Sequence, residues 1–335
     1  MFPLNQWYVG GFASELSDKP LARTLLGRPL VLFRAAGDKV AVLEDRCCHR
    51  SVPLSCGMLE GDAIRCGYHG LLYDAAGACI EIPGQLKIPG KAKVTAYRAV
   101  VLDEIIWVWF GDEQHAQPEF DPPSVPAHTD PRYQHKTGAV HYKAPYQLIH
   151  DNLLDLSHVG YVHSKTIGGN AKVHMEAPTT VTSDDGTVRV VRWMKASQPP
   201  ATYTAAWPFQ GPVDRWQEIS FLVNHLQIFT GAVDAGTDAL DNPERGGFHM
   251  RGFHGVTPET ETTSHYFWSM SSNAHPSQPD NFDVVYQQTA ATFEEDRVII
   301  EEQYRNMLQF PQAPQVDIHV DAGANRARRI IAALS

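Results

Sequence analysis

RCCHRSVPLSCGMLEGDAIRCGYHGLLYD, residues 46–74, decides how the first third of this chain folds. Cys47 and His49 stand one residue apart, sixteen residues intervene, and Cys66 and His69 stand two residues apart. Each arm carries one thiol and one imidazole. Two kinds of metal site take such a set. One is tetrahedral zinc; the other is a [2Fe–2S] cluster with two thiolates on one iron and two imidazoles on the other. Zinc fingers usually pair C-x2-C with H-x3-5-H, whereas mixed arms let each loop send sulfur to one iron and nitrogen to the other. Neutral imidazole ligands raise the reduction potential above that of an all-cysteine cluster, which suits an electron acceptor. Structural cysteines that happen to fall at this spacing are the remaining alternative. Gly57, Gly61, Gly67 and Gly70 allow tight turns that bring two loops together. Cys48, Cys56 and Cys79 have no evident partner in the pattern and read as buried or incidental.

Around this segment the chain reads as short strands and turns. PLVLFRA (29–35) and KVAVLED (39–45) flank a Gly-Asp turn, LLYD and CIEIP flank Ala-Ala-Gly, and YRAVVL and IIWVWF flank Asp103-Glu104. Each is a run of β-formers around turn residues, the pattern of a hairpin. The Pro-rich polar stretch GDEQHAQPEFDPPSVPA (111–127) is the candidate linker. A first domain is therefore expected over 1–112, a linker over 113–127 and a second domain over 128–335. In the second, HYKAPYQLIHDNLLDLSHVGYVH reads as a strand and then a helix over about 146–159, and TTVTSDDGTVRVVRWM as a hairpin around Asp-Asp-Gly. Segments 215–233 and 247–271 alternate as strands do, and 281–309 has helical period. The fold class expected is α+β. No GxGxxG follows a strand, so no dinucleotide site is expected.

Composition narrows the function. The 335 residues carry a net charge of −10, which argues against nucleic acid or an anionic membrane as the main partner. The N-terminus has no basic and apolar leader pattern. The longest apolar run, Ile105 to Phe110, is far below the roughly 18 residues of a membrane helix. Five cysteines, an odd number without export signals, favour metal binding or burial over disulfides. A soluble cytoplasmic protein is expected.

A second constellation lies in HDNLLDLSHVGYVHSKTIGG (150–169). Asp155 and His158 share a helix face at i, i+3, and Gly160 loosens the chain so that His163 reaches the same metal. Two imidazoles and one carboxylate make a facial triad that leaves open positions on Fe(II). Asp155 is one candidate for the carboxylate, but a carboxylate beside a ligating histidine often accepts its distal N–H instead. The 281–309 helix offers another. Its apolar stripe runs Tyr286, Phe293, Ile300, Tyr304, Met307; Asp296 falls on that stripe, whereas Glu294, Glu295 and Glu302 fall off it. A carboxylate on a buried face is costly unless paired or metal-bound. A salt-bridged core aspartate is the alternative.

CCHRSVPLS and CGYHGLLYD resemble the loops of the Rieske ring-hydroxylating oxygenase superfamily, including Arg50, Pro53-Leu54-Ser55 and Tyr68. The family often has proline where Cys48 and Gly67 stand here. D-x3-D-x2-H-x4-H, Asp151 to His163, resembles the superfamily's mononuclear iron motif, and F-x-E-D ending at Asp296 its C-terminal ligand helix. The resemblance extends over nearly the whole chain, through NQWYVGG, PVDRW (212–216), TPETE (257–261) and DAGANRARR. These outer segments look most like the short branch of vanillate O-demethylase, toluenesulfonate methyl-monooxygenase and dicamba O-demethylase.

The resemblance implies an all-β Rieske domain followed by a helix-grip catalytic domain, an antiparallel sheet with helices. It implies Cys47, His49, Cys66 and His69 on the [2Fe–2S] cluster, and His158, His163 and Asp296 on the iron. Asp155 becomes the bridge for an electron from a neighbouring subunit's cluster in a head-to-tail homotrimer. Asn152 becomes a polar residue near the iron, and His254 faces the substrate acid. The partners implied are an aromatic acid, O2, and a flavin or ferredoxin-type reductase fed by NADH. The reaction implied is monooxygenation of a methyl or methoxy carbon, with ring cis-dihydroxylation as the alternative and a bare electron carrier or zinc module as the non-enzymatic one.

Overall fold

The computed structural model of the protein describes residues 2–335 except 38, 185, 238–241, 243 and 244. Asp38 and Asp185, each part of an expected turn, therefore lie outside the described residues. Two compact units emerge: 2–124 together with 257–261, and 125–256 together with 262–335.

The first unit is built of short strands: β1 (Gln6–Phe12), β2 (Leu21–Leu25), β3 (Arg28–Ala35), β4 (Lys39–Glu44), β5 (Met58–Glu60), β6 (Ala63–Arg65), β7 (Leu72–Tyr73), β8 (Cys79–Glu81), β9 (Ala96–Tyr97), β10 (Ala99–Leu102) and β11 (Ile105–Phe110). Among the described residues they form sheets ordered β1-β11-β10, β2-β3-β4-β9 and β5-β6-β7-β8. Every residue of β11 is buried, as its unbroken apolar run requires. Asp103 and Glu104 both take positive φ, 51° and 66°, the backbone that a two-residue hairpin between right-twisted strands demands. The β5–β8 sheet carries the loops of interest.

The second unit contains β12 (Gln134–Tyr142), β13 (Thr179–Asp184), β14 (Thr187–Ser197), β15 (Val213–Leu222), β16 (His225–Asp234), β17 (Phe248–Pro258) and β18 (Ser264–Ser272). They lie in the order β12-β18-β17-β16-β15-β14-β13. The alternating segment 215–233 proves to be two strands, closed by the pair Leu222↔His225, and 247–271 divides likewise into β17 and β18. Around the sheet are α1 (Tyr146–Leu154), α2 (Val159–Val162), α3 (Ala171–Glu176), α4 (Ala201–Ala206), α5 (Phe282–Gln309) and α6 (Ala322–Leu334). The long α5 seats Phe293 edge-on against Tyr266, with ring centroids 5.3 Å apart, and against Trp268 at 4.8 Å. This is the α+β arrangement of sheet and helices that was expected. Asp151 of α1 is ion-paired with Arg328 of α6, so the closing DAGANRARR segment braces the helix that precedes the site.

One helix expected over 146–159 is instead two. The first ends at Leu154, and Asp155 is extended at φ −122°, ψ 93°. The cause is local. The Asp155 carboxylate accepts the Ser157 N–H at 2.8 Å and the Ser157 hydroxyl at 2.9 Å. Such side-chain turns compete with the helical ladder. Asp155 and His158 therefore do not share a helix face.

Candidate metal centres

The two loops of the first unit are the same closed turn built twice. Ser51 N–H donates to the Cys47 carbonyl and Cys47 N–H to Val52; Gly70 N–H donates to the Cys66 carbonyl and Cys66 N–H to Leu71. Ser51 and Gly70 occupy equivalent places and both take positive φ, 59° and 73°. Cys47 and Cys66 are buried at 2% exposure each, whereas His49 and His69 are exposed with ring centroids 4.6 Å apart. Burial first, and then the neighbouring Cys47 sulfur, push the Cys66 thiol up. A pair of crowded thiols inside and a pair of imidazoles outside fits a two-iron cluster whose sulfur-bound iron is shielded and whose nitrogen-bound iron faces out. The Tyr73 hydroxyl lies 3.2 Å from Cys47 Sγ and 3.1 Å from Cys48 Sγ, and accepts the Cys48 N–H. Hydrogen bonds to ligand sulfurs raise a cluster's potential. Cys48, which the pattern left without a partner, thus has one in Tyr73. Cys79 is buried and Cys56 exposed.

In the second unit His158, His163 and Asp296 bring one ligand atom each within 4.8 Å of one another. His158 precedes α2 and His163 follows it, while Asp296 comes from the middle of α5. His163 Nε2 lies 3.0 Å and His158 Nε2 3.4 Å from Asp296 Oδ1. Both Nδ1 atoms are committed elsewhere: that of His158 to the main-chain carbonyl of Asp155 at 2.6 Å, that of His163 to Glu295 Oε2 at 2.7 Å. Each Nδ1 therefore carries a proton, and each Nε2 turns toward the carboxylate. Burial pushes the Asp296 carboxyl up, but hydrogen bonds from both histidines outweigh it and hold it at about 2. Burial pulls His163 down, and the Asp296 and Glu295 carboxylates hold it above its ordinary value. Two imidazole nitrogens and a carboxylate oxygen converging on one point are the donor set of a divalent cation such as Fe(II).

Several sequence-predicted residues sit here in roles of their own. Asn152 Nδ2 donates to Asp296 Oδ1 at 3.1 Å and stands 3.5 Å from His158 Nε2. It is the Asp155 main-chain oxygen that orients His158. The Asp155 side chain instead holds Ser157 and stands 3.8 Å from Arg192. Gly160 does not loosen the chain. A Cβ there would meet Ala171 Cα at 2.3 Å, so the glycine admits a close approach of α3. Glu295, which the helical stripe placed off the core face, orients His163; its position next to Asp296 was the available signal.

The triad opens on a cavity whose surface is mainly apolar, with side chains such as Leu156, Ile228, Met250 and Phe293 on its walls. His254 also borders it, wholly buried, its Nδ1 2.6 Å from the Tyr266 hydroxyl. Burial pulls its pKa down to about 3, so the ring is neutral. The polar floor residues Arg215, Gln217 and Thr230 were not anticipated. Arg215 and Gln217 share the face of β15 that carries Val213 and Ile219, and two polar residues on an apolar face was the signal.

Comparison with known proteins agrees with this geometry. Residues 6–97 match the Rieske [2Fe-2S] domain, and residues 142–335 match the vanillate O-demethylase oxygenase C-terminal domain. A toluene-4-sulfonate monooxygenase system iron-sulfur subunit of Comamonas testosteroni is 38% identical, over 99% of this chain and 96% of that one. A vanillate O-demethylase oxygenase subunit from a Pseudomonas species is 34% identical, over 99% and 94%. A crystal structure of dicamba monooxygenase bound to 3,6-dichlorosalicylic acid superposes with a TM-score of 0.88 at 33% identity, covering 98% of this chain and 96% of that one. With matched loops, matched catalytic unit and relatives aligned end to end, the chain belongs to the Rieske monooxygenase family of the vanillate and dicamba O-demethylases, as the oxygenase component of a multicomponent system.

Proposed function

We propose that this oxygenase component hydroxylates a methyl or methoxy carbon of an aromatic acid. The observation that carries the reading is a mostly apolar cavity ending on the His158–His163–Asp296 cluster. Cys47 and Cys66 with His49 and His69 would hold the [2Fe–2S] cluster, and His158, His163 and Asp296 would hold a mononuclear iron; a structure of dicamba monooxygenase with non-haem iron and dicamba supports the presence of that iron. When bound, the cluster supplies single electrons and the iron an open face for dioxygen.

The chain's own groups do the rest. The Asp155 carbonyl and Glu295 fix the two imidazole tautomers, so both Nε2 atoms stay available as ligands. Asn152 keeps Asp296 oriented. Asp155 is the electron bridge: its carboxylate is held by Ser157 and faces Arg192, while its main chain contacts His158 directly. The apolar walls exclude water and hold the substrate carbon at the reacting centre, where proximity confines the oxidant. For a methoxy substrate, O2, two electrons and two protons yield a hemiacetal and water. The hemiacetal then breaks its C–O bond to give phenol and formaldehyde.

The electrons come from a flavin or ferredoxin-type reductase that is itself reduced by NADH. We propose further that the chain assembles as a head-to-tail homotrimer, with each cluster serving a neighbour's iron. Supporting this are the exposed imidazoles of His49 and His69, with Tyr68 beside them at 62% exposure, and the exposed Ile299 within α5 and Leu308 and Phe310 at its C-terminal end. Among the described residues no helix is long and apolar enough to cross a membrane.

A panel of methoxybenzoates and methylbenzenesulfonates, turned over with a surrogate reductase, tests the reading. Formaldehyde or a benzylic alcohol formed in step with NADH supports it; a cis-dihydrodiol, or no product on any member, overturns it. His254 enters as a neutral hydrogen-bond partner of the substrate. His254→Ala is expected to raise KM by about ten-fold, the upper end for one hydrogen bond of about 1.5 kcal/mol, with kcat little changed. Unchanged kinetics would remove it from the site.

A further inference from the structure

One buried charge beside the cavity makes no ion pair with a carboxylate among the described residues. Arg215 is 2% exposed and borders the cavity. Among the described residues its Nε has no hydrogen-bond partner. Its Nη1 and Nη2 reach only the carbonyls of Gly168 and Ile167, at 3.5 and 3.4 Å, beyond the usual N–H···O length. Its guanidinium carbon lies 4.9 Å from the centroid of the Tyr203 ring. The buried Arg192 and the partly buried Arg245 are better served. Arg192 has Asp155 and Gln217, and Arg245 has Glu218 at 3.0 Å. A buried guanidinium without a carboxylate is strongly destabilising, because desolvation is not compensated.

The surroundings supply further unused polarity. Gln217 and Thr230 are cross-strand partners, and both line the same cavity. Thr230 Oγ1 is buried and has no hydrogen-bond partner among the described residues. His254 pairs across to Leu226, four residues along β16 from Thr230, about 13 Å away at strand rise. The two polar ends of the floor are thus too far apart for one small anion to meet both, and the fixed positive charge is at the Arg215 end, with the Asp296 carboxylate acting on His254.

We propose that Arg215, assisted by Thr230, anchors the anionic group of the substrate, so that this cavity selects arene oxyanions over neutral arenes. A carboxylate or sulfonate oxygen pair matches the guanidinium fork bidentately and supplies the missing countercharge. This rests on the reading of the cavity as the substrate site, and it makes Arg215 rather than His254 the specificity-determining residue for the acid.

The test is calorimetric binding to holoenzyme, without turnover, of 4-methoxybenzoate, 4-methylbenzenesulfonate and neutral 4-methoxybenzamide. Wild type is expected to bind an anion about 100-fold tighter than the amide, the scale of a buried charge-assisted pair. Whichever anion binds tighter identifies the preferred oxyanion. Arg215→Gln should collapse the anion-to-amide ratio toward one, and Arg215→Lys, which keeps charge but loses the fork, should leave an intermediate ratio. His254→Ala should weaken anion and amide alike. A wild-type ratio near one overturns the proposal, as does Arg215→Gln weakening anion and amide equally. If Arg215→Gln does not fold, the Arg215→Lys ratio decides: unchanged from wild type, it removes the bidentate anchor. Because binding is read directly, a chain that binds anions through Arg215 yet oxidises none of them sinks the function proposed above and not this site.

Discussion

His158→Ala is expected to lower turnover by about 1000-fold or more while leaving the Rieske-type EPR signal intact. The scale follows from position: even outer partners of a metal ligand are worth about 10–100-fold, and His158 is one of three convergent donors. Its removal leaves Asp296 and His163 at 3.0 Å as an ordinary ion pair, which satisfies both without a metal. Iron analysis should fall from about three to about two per chain, the cluster's share being unaffected. The loops that carry Cys47 and Cys66 belong to a separate compact unit with its own core, so they have no reason to respond. Turnover within a few-fold of wild type, or iron unchanged after anaerobic reconstitution, would end the assignment of the triad.

Gly160→Ala is expected to destabilise the catalytic unit by about 2–3 kcal/mol, the range for forced overpacking, and to empty the iron site although no ligand is touched. The added Cβ would sit 2.3 Å from Ala171 Cα, 2.8 Å from Ala171 N and 2.8 Å from Ala171 Cβ. Main-chain atoms cannot swing aside as a long side chain does, so α2 or α3 must move. His158 and His163 flank α2, and the His163 carbonyl accepts the Gly168 N–H. Any shift of α2 therefore separates both imidazoles from Asp296, which is fixed on another helix. Differential scanning calorimetry with iron analysis checks this. A thermal transition and iron content equal to wild type would show that α3 yields without moving the ligands. The Rieske absorption should persist in either case.

These effects also show why some of the site was readable from the chain and some was not. Short-range spacing carries metal ligands well, because one loop must deliver two donors and the chain between them is too short to vary. That is why Cys47 with His49 and Cys66 with His69 stood out, and why His158 and His163 did. Asp296 was legible through a different rule, as a charge on an apolar helical stripe, where burial demands a partner. The helix break at Asp155 was not read, because periodicity continues through it and only the Ser157 hydrogen bonds reveal the competing turn. Glu295 was assigned to the solvent side by the same periodicity, yet a helix edge lies close enough to reach His163.

By itself, the sequence determined the α+β character, through alternation along strands and helices, and the family, through the resemblance of its motifs. The tertiary structure alone decided what surrounds the donors: Glu295 behind His163, the Asp155 carbonyl behind His158, and Tyr73 against two cysteines. It alone decided that Arg215, on an inward face of β15, meets a cavity and, among the described residues, no ion-pairing carboxylate. The physical reason is that a charge's partner is set by which strands and helices pack around it, and residues separated by a hundred positions leave no local trace of whether they meet.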